Sequence, residues 1–219
     1  MMASLANTVF MACFMANVCL GQLCGENVSY EPLDIIKISE VMHDWYDVID
    51  IIPSKNRFDY CHDIRNFNKV DDGFILTMTL QVEGRATEDS LDSLIHYIDN
   101  GDGTYTANPE LIPSMAASSR ESFKHKLNVT GLQKVEAMIY KMSTGNFFFL
   151  TDYDEYFIMA KCAPDSNLIA LVKHKKKQPT GKDVADIWNV FSNHGEAPIT
   201  HWEGFCTRRR FTKYEIEEK

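Results

Sequence analysis

The sequence predicts an all-β fold, an eight-stranded antiparallel up-and-down barrel with one C-terminal α-helix packed outside. Three observations carry this. About eight short runs of aromatic and β-branched residues recur along 219 residues, separated by turns rich in Gly, Asp and Asn. Near the end, a single stretch has helical periodicity instead. No composition break, low-complexity linker or internal repeat divides the chain. Closure into a barrel removes exposed strand edges, and a two-sheet sandwich is the competing arrangement.

Residues 31–41 read as a short helical entry segment, and residues 45–52 as a strand that opens on Trp45 and stops at Pro53. Residues 58–67 carry Cys61, and residues 74–82 alternate in their second half. Asp71-Asp72-Gly73 turns the chain between them. Residues 91–98 and Tyr105-Thr106 flank a second turn cluster, Asp99-Asn100-Gly101-Asp102-Gly103. Residues 108–119 read as a surface loop, and 123–129 and 135–142 as further strand candidates. Residues 147–162 form an apolar hairpin around the polar corner Thr151-Asp152-Tyr153-Asp154-Glu155. Another strand follows at 168–173. Thr180 then caps a helix whose apolar residues Val184, Ile187, Trp188 and Phe191 fall at i, i+3, i+4 and i+7, with an end near Gly195. A last short strand at 200–208 holds Cys206.

Residues 1–21 differ from everything after them. They carry no charged side chain, are apolar over residues 5–20, and end in small residues, the pattern of a secretory signal peptide cut after Gly21. The apolar run is shorter than the ~20 residues a membrane span needs. The expected organisation is therefore a signal peptide at 1–21, one barrel domain at 22–210 and a charged tail at 211–219, in a secreted, extracellular protein without a membrane span. Cys24, Cys61, Cys162 and Cys206 remain after cleavage, and two disulfides among them have three connectivities. Asn27 and Asn128 head glycosylation sequons. A formal net charge of −9 argues against a nucleic-acid partner.

Taken together, Trp45-Tyr46 after a helical entry, Thr151-Asp152-Tyr153 at a hairpin corner and the late lysines Lys173 and Lys175 resemble the three sequence signatures of the lipocalins. The glycine that usually stands two residues before the tryptophan is replaced by His43. The order of Cys, Trp and Thr-Asp-Tyr is similar to that of arthropod bilin-binding and insecticyanin-like lipocalins, and the Thr-Asp-Tyr-Asp-x-Tyr wording to cockroach lipocalin allergens. The resemblance implies pairing of Cys24 with Cys162 and of Cys61 with Cys206. It also implies that Lys173 or Lys175 stacks over Trp45 to seal the barrel floor.

A lipocalin-type barrel implies one small hydrophobic molecule in its cavity, with no required cofactor; a bilin, a retinoid and a fatty acid are the expected kinds. Strand parity puts Asp47 and Ile49 on the same side as Trp45, and Phe157 and Met159 opposite in direction to Cys162, so these four are the expected ligand-binding residues. Asp47 inside an apolar barrel needs a partner. No His-x₃-His pair or other metal-ligand spacing and no Gly-x-Ser-x-Gly elbow occurs, so neither a metal nor catalysis is expected. An isomerase reading would need a free cysteine. The alternative is a secreted interaction protein with a filled or covered pocket and a protein partner.

Overall fold

In the computed structural model, which describes residues 23–25, 28–51, 60–82, 90–107, 144–164 and 167–196, the chain enters through a short helix, α1 (Ile35–Ser39). Asp34 caps it by accepting the Lys37 N–H at 3.0 Å. Eight strands follow: β1 (Tyr46–Ile51), β2 (Tyr60–Val70), β3 (Gly73–Val82), β4 (Ser90–Asp99), β5 (Tyr105–Ala107), β6 (Asn146–Thr151), β7 (Tyr156–Cys162) and β8 (Leu168–His174). Helix α2 (Gly181–Asn193) comes last. Its capping box joins Thr180 and Asp183, as the Thr-x-x-Asp spacing permits. The candidate strands at 123–129, 135–142 and 200–208, the leader and the tail lie outside the described residues.

Every strand pair is antiparallel, and the sheet order is β1-β8-β7-β6-β5-β4-β3-β2. Consecutive strands are therefore neighbours from β2 to β8, and β1 adds to β8. This is the predicted up-and-down arrangement. The two end strands meet where Trp45 N donates to Ile64 O at 2.9 Å and Ile64 N to Trp45 O at 2.8 Å. The sheet is barrel-like, and the side chains of Asp47 and Asp63 add hydrogen bonds between the same two strands beside this bridge.

Strand directions define two ends. The start of β1, the β2–β3, β4–β5 and β6–β7 turns and the end of β8 lie together at the end where α1 sits. Leu33 N donates to the Tyr105 hydroxyl and Asp34 N to the Tyr153 hydroxyl, which fastens α1 across this closed end. The ends of β1, β3, β5 and β7 and the starts of β2, β4, β6 and β8 lie at the opposite, open end, where no described helix sits.

Alternation divides the apolar residues between two clusters. One lines the inside and includes Trp45, Phe74, Tyr97, Phe149, Phe157 and Met159. The other lies outside β1, β6, β7 and β8, where Ile187 and Phe191 of α2 cover Val48, Phe148, Ile158 and Val172. Cys24 and Cys162 form a disulfide with Cα atoms 5.5 Å apart, so the N-terminal segment is tied to the end of β7. Tyr30 stacks on Phe148 beside it, with ring centroids 4.2 Å apart. Cys61 is also disulfide-bonded, and Cys206 lies outside the described residues.

The β4–β5 turn gives a local test of this packing. Gly101 and Gly103 have nearly the same left-handed φ, +79° and +81°. A Cβ on Gly101 would meet nothing within 4 Å, but one on Gly103 would lie 2.2 Å from the Tyr30 carbonyl oxygen. Gly101→Ala should cost about 1 kcal/mol for its backbone alone. Gly103→Ala should cost about 2–4 kcal/mol, because it also pushes the N-terminal segment off the closed end. Urea unfolding of the two variants measures the difference, and equal losses would contradict the packing.

Candidate functional site

The barrel interior holds an aromatic floor and, against one wall, a set of buried charges. Trp45 is fully buried at the closed end, 5.9 Å from the Phe157 ring. Above it, Phe67, Phe74, Tyr97, Tyr105, Phe149 and Phe157 form one continuous set of ring contacts. Their centroids lie 5.1–6.1 Å apart, and many are edge to face. Phe157 and Met159 face inward, as parity required.

Ile49 does not. β1 pairs Asp47 with Lys173 but Ile49 with Val172, so Val48 is an extra residue in the strand. This bulge reverses the alternation. Val48, Ile49 and Ile51 pack outside, and Asp50, opposite the inward Leu171, takes the interior position.

The lysine expected over Trp45 has a different partner. Lys173 lies directly opposite Asp47, is fully buried, and donates from Nζ to Asp47 Oδ1. A carboxylate in register outcompetes a ring face for an ammonium group in a low-dielectric interior. Lys175 points to the surface, 3.1 Å from Asp154 and 2.6 Å from Glu155. His43, where the glycine was expected, packs its ring 4.7 Å from Trp45.

Asp47 is the centre of the charged wall. Its Oδ2 accepts the His62 N–H at 2.9 Å and lies 3.5 Å from His62 Nδ1, and its own N–H donates to Asp63 Oδ1 at 3.0 Å. Burial opposes its charge, but Lys173 and then His62 outweigh that, and the carboxyl is held at about 2. Burial lowers His62, so it is neutral near pH 7 despite the adjacent Asp47. Asp50 is raised to about 8, first by burial and then by the Asp47 charge, with Lys173 offsetting part of this. The Asp50 side chain is partly exposed as a whole, yet its Oδ1 is buried without a hydrogen-bond partner. On β4, the Ser93 and Tyr97 hydroxyls are likewise buried without partners. Sequence parity around Ile95 could have found Ser93 and Tyr97, whereas Asp50 was hidden by the bulge.

The Thr151-Asp152-Tyr153 corner is architectural. Asp152 Oδ1 accepts the N–H groups of Asp154, Glu155 and Tyr156 at 2.9–3.1 Å, and Thr151 Oγ1 donates to Tyr156 O at 2.6 Å. Tyr153 is thereby held at φ +67° with its hydroxyl against Asp34 and its ring under Lys37. The acceptor Asn27 and Asn128 lie outside the described residues.

Outside the barrel, Glu155, His174 and Asp183 bring ligand-type atoms within 4.8 Å of one another, a grouping that the sequence spacing conceals. His174 Nδ1 accepts the Lys176 N–H at 2.9 Å, so the neutral ring carries its proton on Nε2, 3.6 Å from Glu155 Oε2. A metal needs a lone pair there. The arrangement is that of a latch between the β6–β7 corner and the N-terminus of α2, to which Lys176 adds ion pairs with Asp183 at 3.1 Å.

The charged wall makes two stability predictions. Lys173→Met should cost about 3–5 kcal/mol by leaving the Asp47 carboxylate buried and unpaired. Asp47→Asn combined with Lys173→Met should recover most of that, since the amide oxygen still accepts from His62. Asp50 titrates at about 8 in the folded chain and 3.8 unfolded. Its contribution to stability is complete below pH 4 and is lost as pH rises through 8. Asn does not titrate, so Asp50→Asn should become progressively more stable than the parent between pH 4 and 8. Urea midpoints across that range check both, and a constant Asp50→Asn difference would contradict the burial of its charge.

No family model matches the sequence, and no curated protein matches it. Among solved structures, the fold is similar to the major allergen Per a 4 from cockroaches, at 14% identity and a TM-score of 0.48, over 81% of this chain and 90% of that one. It is also similar to lobster apocrustacyanin A1, at 11% identity and a TM-score of 0.40, over 77% of this chain and 84% of that one. Apocrustacyanin C2 is similar at 10% identity and a TM-score of 0.39, with the same coverage. These proteins are lipocalins. Likeness at this level speaks to no ligand, partner or activity.

Proposed function

We propose that this chain is a secreted, lipocalin-type carrier that takes one small, mostly apolar molecule into the open half of its barrel. The observation that supports this best is the asymmetry of the interior. Rings and α1 fill the closed end, while inward residues nearer the open end, at Asp50, Ser93 and Met159, leave hydrogen-bonding groups beside apolar wall. Such a half-apolar, half-polar interior is how barrels of this size hold a ligand. Burying about 300 Å² of apolar ligand surface would contribute about 7 kcal/mol before the costs of association. The apolar leader, the Cys24–Cys162 disulfide and the disulfide-bonded Cys61 support export to an oxidising compartment. Among the described residues, no helix is long and apolar enough to cross a membrane.

One observation favours a second reading, an interaction protein with a filled interior: the ring contacts run without interruption from Phe67 to Tyr97. An isomerase is disfavoured, since three of the four expected mature cysteines are held in disulfides and offer no thiolate.

Expression of the full chain in secreting eukaryotic cells should give medium protein beginning at Gln22, with no titratable thiol and one small molecule bound per chain by native mass spectrometry. The stripped protein should bind retinol, a bilin or a fatty acid with Kd below about 10 μM, equivalent to about 7 kcal/mol. Absence of any bound species, together with no binding of these probes, would replace the carrier with the filled-interior reading.

A further inference from the structure

The chemistry of the inward polar groups narrows the ligand further. Lys173, the cation of the buried wall, is consumed by Asp47, so this pair offers no free charge to a guest. Among the described residues, Trp45 Nε1 on the floor and, above it, Ser93 Oγ, Tyr97 OH and Asp50 Oδ1 are inward atoms buried without a protein partner. Ser93 is 1% exposed and Tyr97 0%. Both lie on β4 on the face of the inward Ile95, about 13 Å apart along the strand, with Ser93 nearer the open end and Tyr97 at the rings. Asp50 lines β1, the strand beside β8. A serine or tyrosine hydroxyl donates a hydrogen bond, and a carboxyl that keeps its proton does the same. The Asp50 carboxyl is raised to about 8 by burial and by Asp47, so it carries that proton at neutral pH.

We propose that the ligand is an apolar molecule with uncharged acceptor oxygens, of the ketone, aldehyde or ester kind, received by the donors Ser93, Tyr97 and Asp50. This rests on the carrier reading above. Among the described residues, no uncompensated cation faces inward to balance a fatty-acid anion. An alkylammonium would bring donors to a wall that already has an excess of them. A neutral acceptor satisfies groups that otherwise remain buried without partners, which is where a hydrogen bond contributes most to affinity.

The test uses the full mature chain and four probes of one chain length: decane, decan-2-one, decanoate and decylamine. Each displaces the neutral fluorophore N-phenyl-1-naphthylamine at pH 7. Decan-2-one should compete at least about tenfold better than decane, decanoate or decylamine. At least one of Ser93→Ala and Tyr97→Phe, the one whose hydroxyl meets the single carbonyl, should weaken the ketone about threefold to tenfold, and both should leave decane unchanged. Neither variant should lower the urea midpoint of the ligand-free protein, because each removes a buried hydroxyl that bonds to nothing in the fold. Decanoate or decylamine binding as tightly as the ketone would overturn the proposal. So would ketone affinity that survives both substitutions, or a loss confined to stability. Decane binding as well as the ketone would overturn it while leaving the carrier intact. If the fluorophore and all four probes fail to bind, the carrier reading falls and this proposal with it.

Discussion

Asp47 is the side chain that ties β1 to both of its neighbours. A sheet of eight strands becomes a barrel only if β1 reaches both β8 and β2. Asp47 does both with one carboxylate, taking the Lys173 ammonium on one oxygen and the His62 N–H on the other. Its backbone N–H then goes to Asp63. After the Trp45–Ile64 bridge, carboxylates thus stand where backbone acceptors would continue a ladder. Such an arrangement is costly to bury and is stabilising only with all its partners present. Asp47 pays for its own burial through geometry: two oxygens, two strands.

The bulge at Val48 follows from that demand. Asp47 must face inward to meet Lys173, while the next stretch of β1 must cover the outside of the sheet, where α2 packs. One extra residue reconciles the two, sending Val48, Ile49 and Ile51 under Ile187 and Phe191. Its by-product is Asp50 on the inner wall. A second bulge, at Asn66 with φ +54°, similarly lets β2 bring Phe67 to the floor after His62 and Ile64 have faced the seam. The inward positions of Asp50 and Phe67 are therefore products of two single-residue register shifts.

This explains what was legible beforehand. The β6–β7 hairpin, the α2 cap and the up-and-down order follow from local alternation and turn chemistry, and these needed no tertiary information. Asp47, Phe157 and Met159 were placed inside correctly because parity holds wherever a strand is regular. Ile49 was misplaced because parity cannot see a bulge: Val-Ile-Asp-Ile reads equally well in either register. The family pattern offers a ring partner to Lys173 or Lys175, and the position of Lys173 departs from it for a related reason. Its ring partner came from a family pattern, but its actual partner depends on which residue of β1 stands across from it. His174, Glu155 and Asp183 are distant or differently spaced in sequence and meet only when the β6–β7 corner, β8 and α2 converge.

The interior polar groups fall into two kinds, and the difference bears on function. Asp47, His62 and Asp63 hold strands together, so their burial has a structural return. The hydroxyls of Ser93 and Tyr97 bond to nothing among the described residues, although each loses its contact with water. Alanine and phenylalanine would pack the same space without that cost. A fold under the constraint of stability alone has no use for them, and local departures from that constraint are expected where a protein meets its ligand. The closed half of the barrel, where rings meet rings, follows the stability rule in its packing, although Trp45 Nε1 is also buried there without a partner. The inner wall from Tyr97 toward the open end departs from it further, and on the carrier proposal recognition belongs to that wall, with the aromatic floor below as its rigid base.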